Sequence, residues 1–278
     1  MKKRRVALAL AGGGARGVAH IGAIEELERQ GFEIAAVSGT SMGALVGGVY
    51  ASGHLEAFRE WMCKLDRYRV FSLVDFALSS EGLVKGDRVI RAMQRMVPDV
   101  RIEELDIPFA AVAADMLTGR EVVLDSGGLY DAIRASISIP SVFRPVHRDG
   151  MVLIDGGTVN PLPVNRVRRE PGDLLVAVDV SAPFGADPVL RSRLSVNYYK
   201  MLVASSQIMQ QHITQLMCRI CPPDVRVELP ADSYGMFEFY RSKELVEAGR
   251  RATRTALERY FADHSDAESS AAAVSSPA

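Results

Sequence analysis

The chain has 278 residues, of which 48% are hydrophobic and 24% charged, a balance that excludes wholesale disorder and supplies a sizeable core without staples. Thirty-three Lys+Arg against 34 Asp+Glu leave a net charge of -1, so no basic excess is available to neutralise a nucleic-acid backbone. Three cysteines cannot form a disulfide framework and fit a reducing compartment.

Lys2-Lys3-Arg4-Arg5 ahead of Val6–Leu10 imitates a secretory leader, but the apolar run stops at Gly12. A leader core needs roughly 7–15 apolar residues, so the segment reads as a buried first strand with a solvated basic edge. Near anionic lipid that edge would add attraction of about 1 kcal/mol per basic residue. No run approaches the roughly 18 apolar residues of a membrane span. The expected location is cytoplasmic, with peripheral contact at the inner membrane face as the variant of that reading.

After the first strand and Gly12-Gly13-Gly14, apolar residues at Ile21, Ile24 and Leu27 predict a helix over Val18–Gln30, closed by Gly31. Ile34–Val37 reads as a strand and Met42–Ala51 as a helix whose Gly47 and Gly48 imply close packing on a sheet. Phe71–Leu78 is apolar and outside the alternation; it reads as a cap segment, or as an entrance that touches a bilayer. Further strands are predicted at Phe109–Ala113, Glu121–Leu124, Val152–Ile154, Leu174–Val180 and Val225–Leu229. Helices are predicted at Arg88–Met96, Tyr130–Ser136, Val196–Met217 and Arg241–Phe261. Met201, Ile208, Met209, Ile213, Leu216 and Met217 form a stripe that reads as a helix face packed on the sheet, or as the lining of an acyl channel. Alternating strands and helices argue for one α/β domain over residues 1–262 with a mostly parallel sheet. Asp263–Ala278 is Ser- and Ala-rich without periodicity and is expected to be a disordered tail.

Gly12-Gly13-Gly14-Ala15-Arg16-Gly17 satisfies the dinucleotide pattern G-x-G-x-x-G, but its partner acid is missing: the second strand ends at Val37-Ser38-Gly39. What remains is a glycine loop at a helix start, with free N–H groups for an anion. Gly39-Thr40-Ser41-Met42-Gly43 is G-x-S-x-G at a strand-to-helix turn, the context of a nucleophile elbow. The Met42 amide would then face the developing oxyanion. The bland alternative is a small-residue turn capped by Ser41. Among the histidines, the order Ser…Asp…His leaves only His212 and His264, and neither follows a strand. Asp115, Asp155 and Asp179 do fall at strand ends. Asp155-Gly156-Gly157 combines a carboxylate with a tight turn, which favours Asp155 as base. No H-E-x-x-H spacing occurs, and Cys218 and Cys221 lack a second pair, so neither metal nor cofactor is expected.

Taken together, the motifs resemble the patatin-like phospholipases of bacterial type. The glycine run looks like that family's oxyanion loop, Gly39–Gly43 its nucleophile elbow and Asp155-Gly156-Gly157 its D-G-A/G motif. Ala135-Ser136-Ile137-Ser138-Ile139-Pro140 and Asn160-Pro161-Leu162-Pro163-Val164 are similar to the flanking segments. The resemblance implies a three-layer α/β/α sandwich and a Ser41–Asp155 dyad acting without histidine. Gly12, Gly13, Gly14 and Met42, with Arg16 nearby, would supply the oxyanion site. It further implies a lipid acyl hydrolase that cleaves carboxylic esters through an acyl-enzyme. A lipid-binding or regulatory protein with little turnover, and a dinucleotide-binding oxidoreductase, are the alternatives.

Overall fold

The computed structural model describes residues 4–74, 87–140, 142–183 and 198–274. The chain begins with β1 (Arg4–Leu10), α1 (Ala19–Arg29), β2 (Phe32–Thr40) and α2 (Met42–Ala51). Three helices follow, α3 (Leu55–Cys63), α4 (Arg67–Val74) and α5 (Asp87–Gln94). Next come β3 (Phe109–Asp115), β4 (Glu121–Leu124), α6 (Leu129–Ser136), β5 (Val146–Arg148) and β6 (Met151–Asp155). The last elements are β7 (Leu174–Ala182), α7 (Tyr198–Ile220), β8 (Val225–Pro230) and α8 (Ser242–Val274).

Val6–Leu10 are fully buried, as an all-apolar strand must be, and β1 lies in the middle of the sheet. The strand order is β5-β6-β3-β2-β1-β7-β8, with β4 added to β3. From β8 to β3 the neighbours run parallel, whereas β4, β6 and β5 pair antiparallel. From β1 the chain steps outward one way to β2 and β3, and later the other way from β7 to β8. Right-handed crossovers therefore put α1 and α2 on one face and α7 on the opposite face. The result is a three-layer α/β/α sandwich whose strand order reverses at β1, the place where open α/β sheets leave a crevice.

Two close contacts fix the helical layer over α1 and α2. A Cβ on Gly22 would overlap the Val246 carbonyl oxygen, and one on Gly249 the Ala19 carbonyl oxygen, so α1 and α8 touch backbone to backbone. Beside this contact Glu26 is buried and accepts from Arg29 Nε (2.8 Å), Gln30 Nε2 (3.0 Å) and Arg254 Nε (3.2 Å). Arg29 above all holds that carboxyl well below its usual range, at about 2. The glycines of α2 behave as their sequence implies: a Cβ on Gly47 would stand 2.7 Å from Val37 Cγ1.

Some elements differ from expectation. β5 is too short to show an alternation, and α3 is a helix beyond those expected, with Leu55, Phe58 and Met62 at helical spacing. The backbone of α8 stays helical to Val274, past residue 262, where composition places the start of a tail. On α7 the expected inward stripe is split: Ile213 and Met217 are half-buried, but Met201, Ile208, Met209 and Leu216 are exposed. The helix instead turns Thr214 inward, with Met217, Cys218 and Cys221 packed on the core. Of the basic edge, Arg5 pairs with Asp173 (3.0 Å) and Arg4 stands over the Phe261 ring. Lys2 and Lys3 lie outside the described residues, as does Phe71–Leu78 beyond the helical backbone of α4.

Candidate active site

Ser41 stands alone between the last residue of β2 and the first of α2, with φ 55° and ψ −122°. A residue with a Cβ at such a positive φ costs on the order of 1–3 kcal/mol, so the surroundings must impose it. They do so from three sides. The Ser41 N–H donates to Ser136 Oγ (2.8 Å), whose hydroxyl donates to the Val112 carbonyl (2.6 Å). A Cβ on Gly43 would overlap the Leu10 carbonyl, and one on Gly39 would overlap the backbone of Gly43. Thr40 and Ser38 donate to the carbonyls of Asn160 and Pro163 (2.8 Å each), so the Asn160–Val164 segment buttresses the end of β2.

Asp155 reaches the same place through sheet pairing. Residues 111 and 112 of β3 pair with both β2 and β4, and residues 113 and 114 with both β4 and β6. A strand has two edges, so β2 and β6 must share one and meet end to end. β2 arrives in parallel with Thr40 beside Val112; β6 arrives antiparallel with Asp155 beside Ala113. A Cβ on Gly156 would overlap the Val112 carbonyl, which explains the first glycine of that motif. Gly157 N donates to Asp155 Oδ1 (2.8 Å), while Asp155 Oδ2 has no hydrogen-bond partner. Burial pushes the Asp155 carboxyl up to about 6, against the opposing pull of the nearby Ser41 hydroxyl and the Gly157 amide. The Ser41 hydroxyl is thus near enough to lower the Asp155 carboxyl, while Asp155 Oδ2 keeps no hydrogen bond.

The glycine loop closes over Ser41, and a Cβ on Gly12 would stand 3.3 Å from Ser41 Cβ. Its members have different tasks. Gly12, expected among the anion donors, gives its N–H to the Pro161 carbonyl (2.9 Å) and accepts from Ser181 Oγ (3.1 Å). It is therefore a tie, because one N–H cannot serve both partners. Among the described residues the amides of Gly13 and Gly14 make no backbone hydrogen bond, and Met42 N–H is an unpaired donor at the start of α2. Gly17 brings the following turn against Met42, whose side chain a Cβ there would overlap. Arg16 is buried and donates to the Ala231 carbonyl and to Ser181 Oγ (3.3 Å), joining the loop to the ends of β7 and β8. Burial lowers its pKa against the raising effect of Asp179 and Asp232.

The other titratable groups lie elsewhere. His20 is buried, and burial brings it down to about 4; its Nε2–H donates to the Ala11 carbonyl (2.8 Å), behind the loop. His212 is exposed on α7, and His264 lies against Tyr260 on α8. Asp115 accepts from Thr118 Oγ1 (2.7 Å) and Val152 N (3.1 Å), and Asp179 pairs with Arg226 (2.9 Å), so both are turn or edge formers. The strand-end position where a ribose-binding acid would stand holds Thr40, already bonded to Asn160. Among the described residues no three His, Cys, Asp or Glu side chains gather to hold a metal, and no helix is long and apolar enough to cross a membrane.

Two cavities meet at Ser41. One is almost wholly apolar and runs between α2, α3, α5 and the 236–239 turn. The other carries Arg16, Asp155, Thr158, Ser181, Gln207 and Gln210. The sequence shows neither the role of Ser136 nor that α3 and the expected helix α5 wall an apolar cavity. Ser136 stood inside a segment already noticed, but nothing in its spacing shows that it carries Ser41.

A family model described as patatin-like phospholipase matches residues 8–167. An NTE family protein of Mycobacterium tuberculosis is 44% identical over 177 residues, covering 64% of this chain and 49% of the relative. A second NTE family protein of that organism is 32% identical over 284 residues, covering 92% of this chain and 47% of the relative. The chain thus spans about half the length of these curated relatives. Among solved structures, VipD from Legionella pneumophila aligns over 94% of this chain and 67% of its own, at 14% identity and a TM-score of 0.49. With more than half of its 278 residues matched by the family model, the chain belongs to the patatin-like phospholipase family.

Proposed function

We propose that the chain is a serine acyl hydrolase that cleaves carboxylic esters of lipids through Ser41 and Asp155. One observation carries the reading: two strands end nose to nose on one edge of β3, and there a strained serine stands beside a carboxylate whose pKa burial raises. Ser41 Oγ attacks the ester carbonyl and its proton passes to Asp155. The amides of Gly13, Gly14 and Met42 receive the oxyanion, and loss of one such donor costs on the order of 10²–10³ in turnover. The tetrahedral adduct breaks its bond to the alcohol, which leaves with the proton from Asp155. Water then attacks the acyl-enzyme, giving its proton to Asp155, and the fatty acid departs as Ser41 is restored. A carboxyl near 6 suits this exchange, because it is ionised at neutral pH yet basic enough to accept a proton.

Gly12 and Arg16 hold the loop in this reading, and Gly39, Gly43, Gly156 and Gly157 shape the two turns. Transient contact with a membrane surface belongs to the proposal, supported by the exposed Met201, Met209 and Leu216 on α7. The test is fatty-acid release from a panel of phospholipids, lysophospholipids, neutral lipids and thioesters, alongside labelling with a fluorophosphonate. The native chain is expected to label and to release acid, and Ser41→Ala to do neither. Lipid binding without release would favour a regulatory role; release by Ser41→Ala would end the serine mechanism.

A further inference from the structure

The two cavities share Gly14, Ser41, Ile139, Val142 and Met236, so these residues mark the junction. Phe58 and Met62 on α3 and Met93 on α5 line the apolar limb alone, and all are buried. Phe143, Phe237 and Phe239 line the same limb but are only half-buried, which makes them its rim. The limb therefore runs from Ser41 to buried apolar side chains on α3 and α5. Apart from Ser41 and the Trp61 indole, its lining among the described residues bears only apolar side chains, so a head group placed there would lose most of its hydrogen bonds. The hydroxyls and amides of Ser181, Ser206, Gln207 and Gln210 all line the other limb.

We propose that the apolar limb seats the acyl chain of the ester, and that Phe58, Met62 and Met93 form a floor that sets the longest straight chain accepted. This rests on the hydrolase reading and adds the determinant of chain length to it. The two limbs divide the substrate: the acyl part turns toward α3 and α5, and the alcohol part toward α7. Up to the floor, each further methylene buried raises affinity about fourfold. Beyond it, added carbons must bend or withdraw, because close-packed interiors yield little. Met93 is the residue to change, since it is fully buried and lines the apolar limb but not the limb that holds Asp155.

The experiment has two arms, run on the native chain, Met93→Ala and Met93→Phe. In the first, saturated fatty acids of increasing length displace a fluorescent fatty acid, which needs no turnover. In the second, kcat/KM is measured for p-nitrophenyl esters from four to eighteen carbons. Each variant is read as a ratio across lengths, so partial unfolding cancels. The native profile is expected to climb and then break, with Met93→Ala moving the break to longer chains and Met93→Phe to shorter ones. Ratios changed tenfold or more for the chains around the break would support the floor. A shift in binding without ester turnover leaves the floor standing and removes the hydrolase reading. An unmoved break in both variants, or no displacement by any fatty acid, overturns the proposal even if short esters are hydrolysed.

Discussion

The crossing of α1 and α8 and the end of β2 are equally buried, but they are built on opposite principles. At the crossing, Glu26 has three charged or amide donors, and two glycines let the backbones touch. At the end of β2, Ser41 sits at positive φ and the buried Asp155 keeps an oxygen without a hydrogen bond. Of the six buried side-chain atoms without a hydrogen-bond partner among the described residues, four belong to Arg16, His20, Asp155 and Asn160, all on segments that form or back the site. Satisfied polar groups hold a structure still; unsatisfied ones cost stability and are free to act on something else. The sheet gives the second region its rigidity, and the first region shows how the rest of the chain offsets the strain.

The largest separation of the two should come from Asp155→Asn. Activity is expected to fall on the order of 10⁴, since an amide cannot accept the proton of Ser41. Stability should move the other way. The native carboxyl, near 6, keeps a proton that the unfolded chain releases near 3.8, so native stability falls as pH rises through that window and stays lower at neutral pH. Removing the charge should recover on the order of 3 kcal/mol above pH 6 and nothing below pH 4. Urea unfolding at pH 4 and pH 8 checks this, and the same carboxyl should place the acid limb of native kcat/KM near pH 6.

Gly22→Ala attacks the other region. The added methyl must part α1 from α8, so a loss of about 2–4 kcal/mol is expected in urea unfolding, with kcat of the folded fraction unchanged. A fall in kcat as large as the fall in stability would mean that the two regions are coupled.

Ser136→Ala works between them. It leaves the Ser41 N–H without an acceptor, for a loss of about 1–3 kcal/mol. Part of that should appear as roughly tenfold in kcat, with KM held, because the elbow and not the substrate pocket is disturbed. Equal effects on kcat and KM would assign Ser136 to packing alone. The smallest effect belongs to His212→Ala and His264→Ala, each expected to change ester hydrolysis less than about twofold, as surface substitutions do. A large loss in either would bring histidine back as the base.

Much of this was legible in the order of the residues. Ser41 could be read because an elbow is a local device: strand, small residues and helix lie within one turn of chain. Asp155 could be read because its glycines mark a close approach, although not to what. The role of Gly12 escaped, since whether an N–H is free depends on Pro161, distant in sequence. Local composition thus determined which side chains the proposed chemistry rests on, because turns and helix starts are set by neighbours a few residues apart. Their meeting was decided only in three dimensions. β6 had to lie antiparallel on the edge that β2 vacates, and α3 and α5 had to close an apolar limb over Ser41, and such long-range pairings leave no periodic mark on the chain.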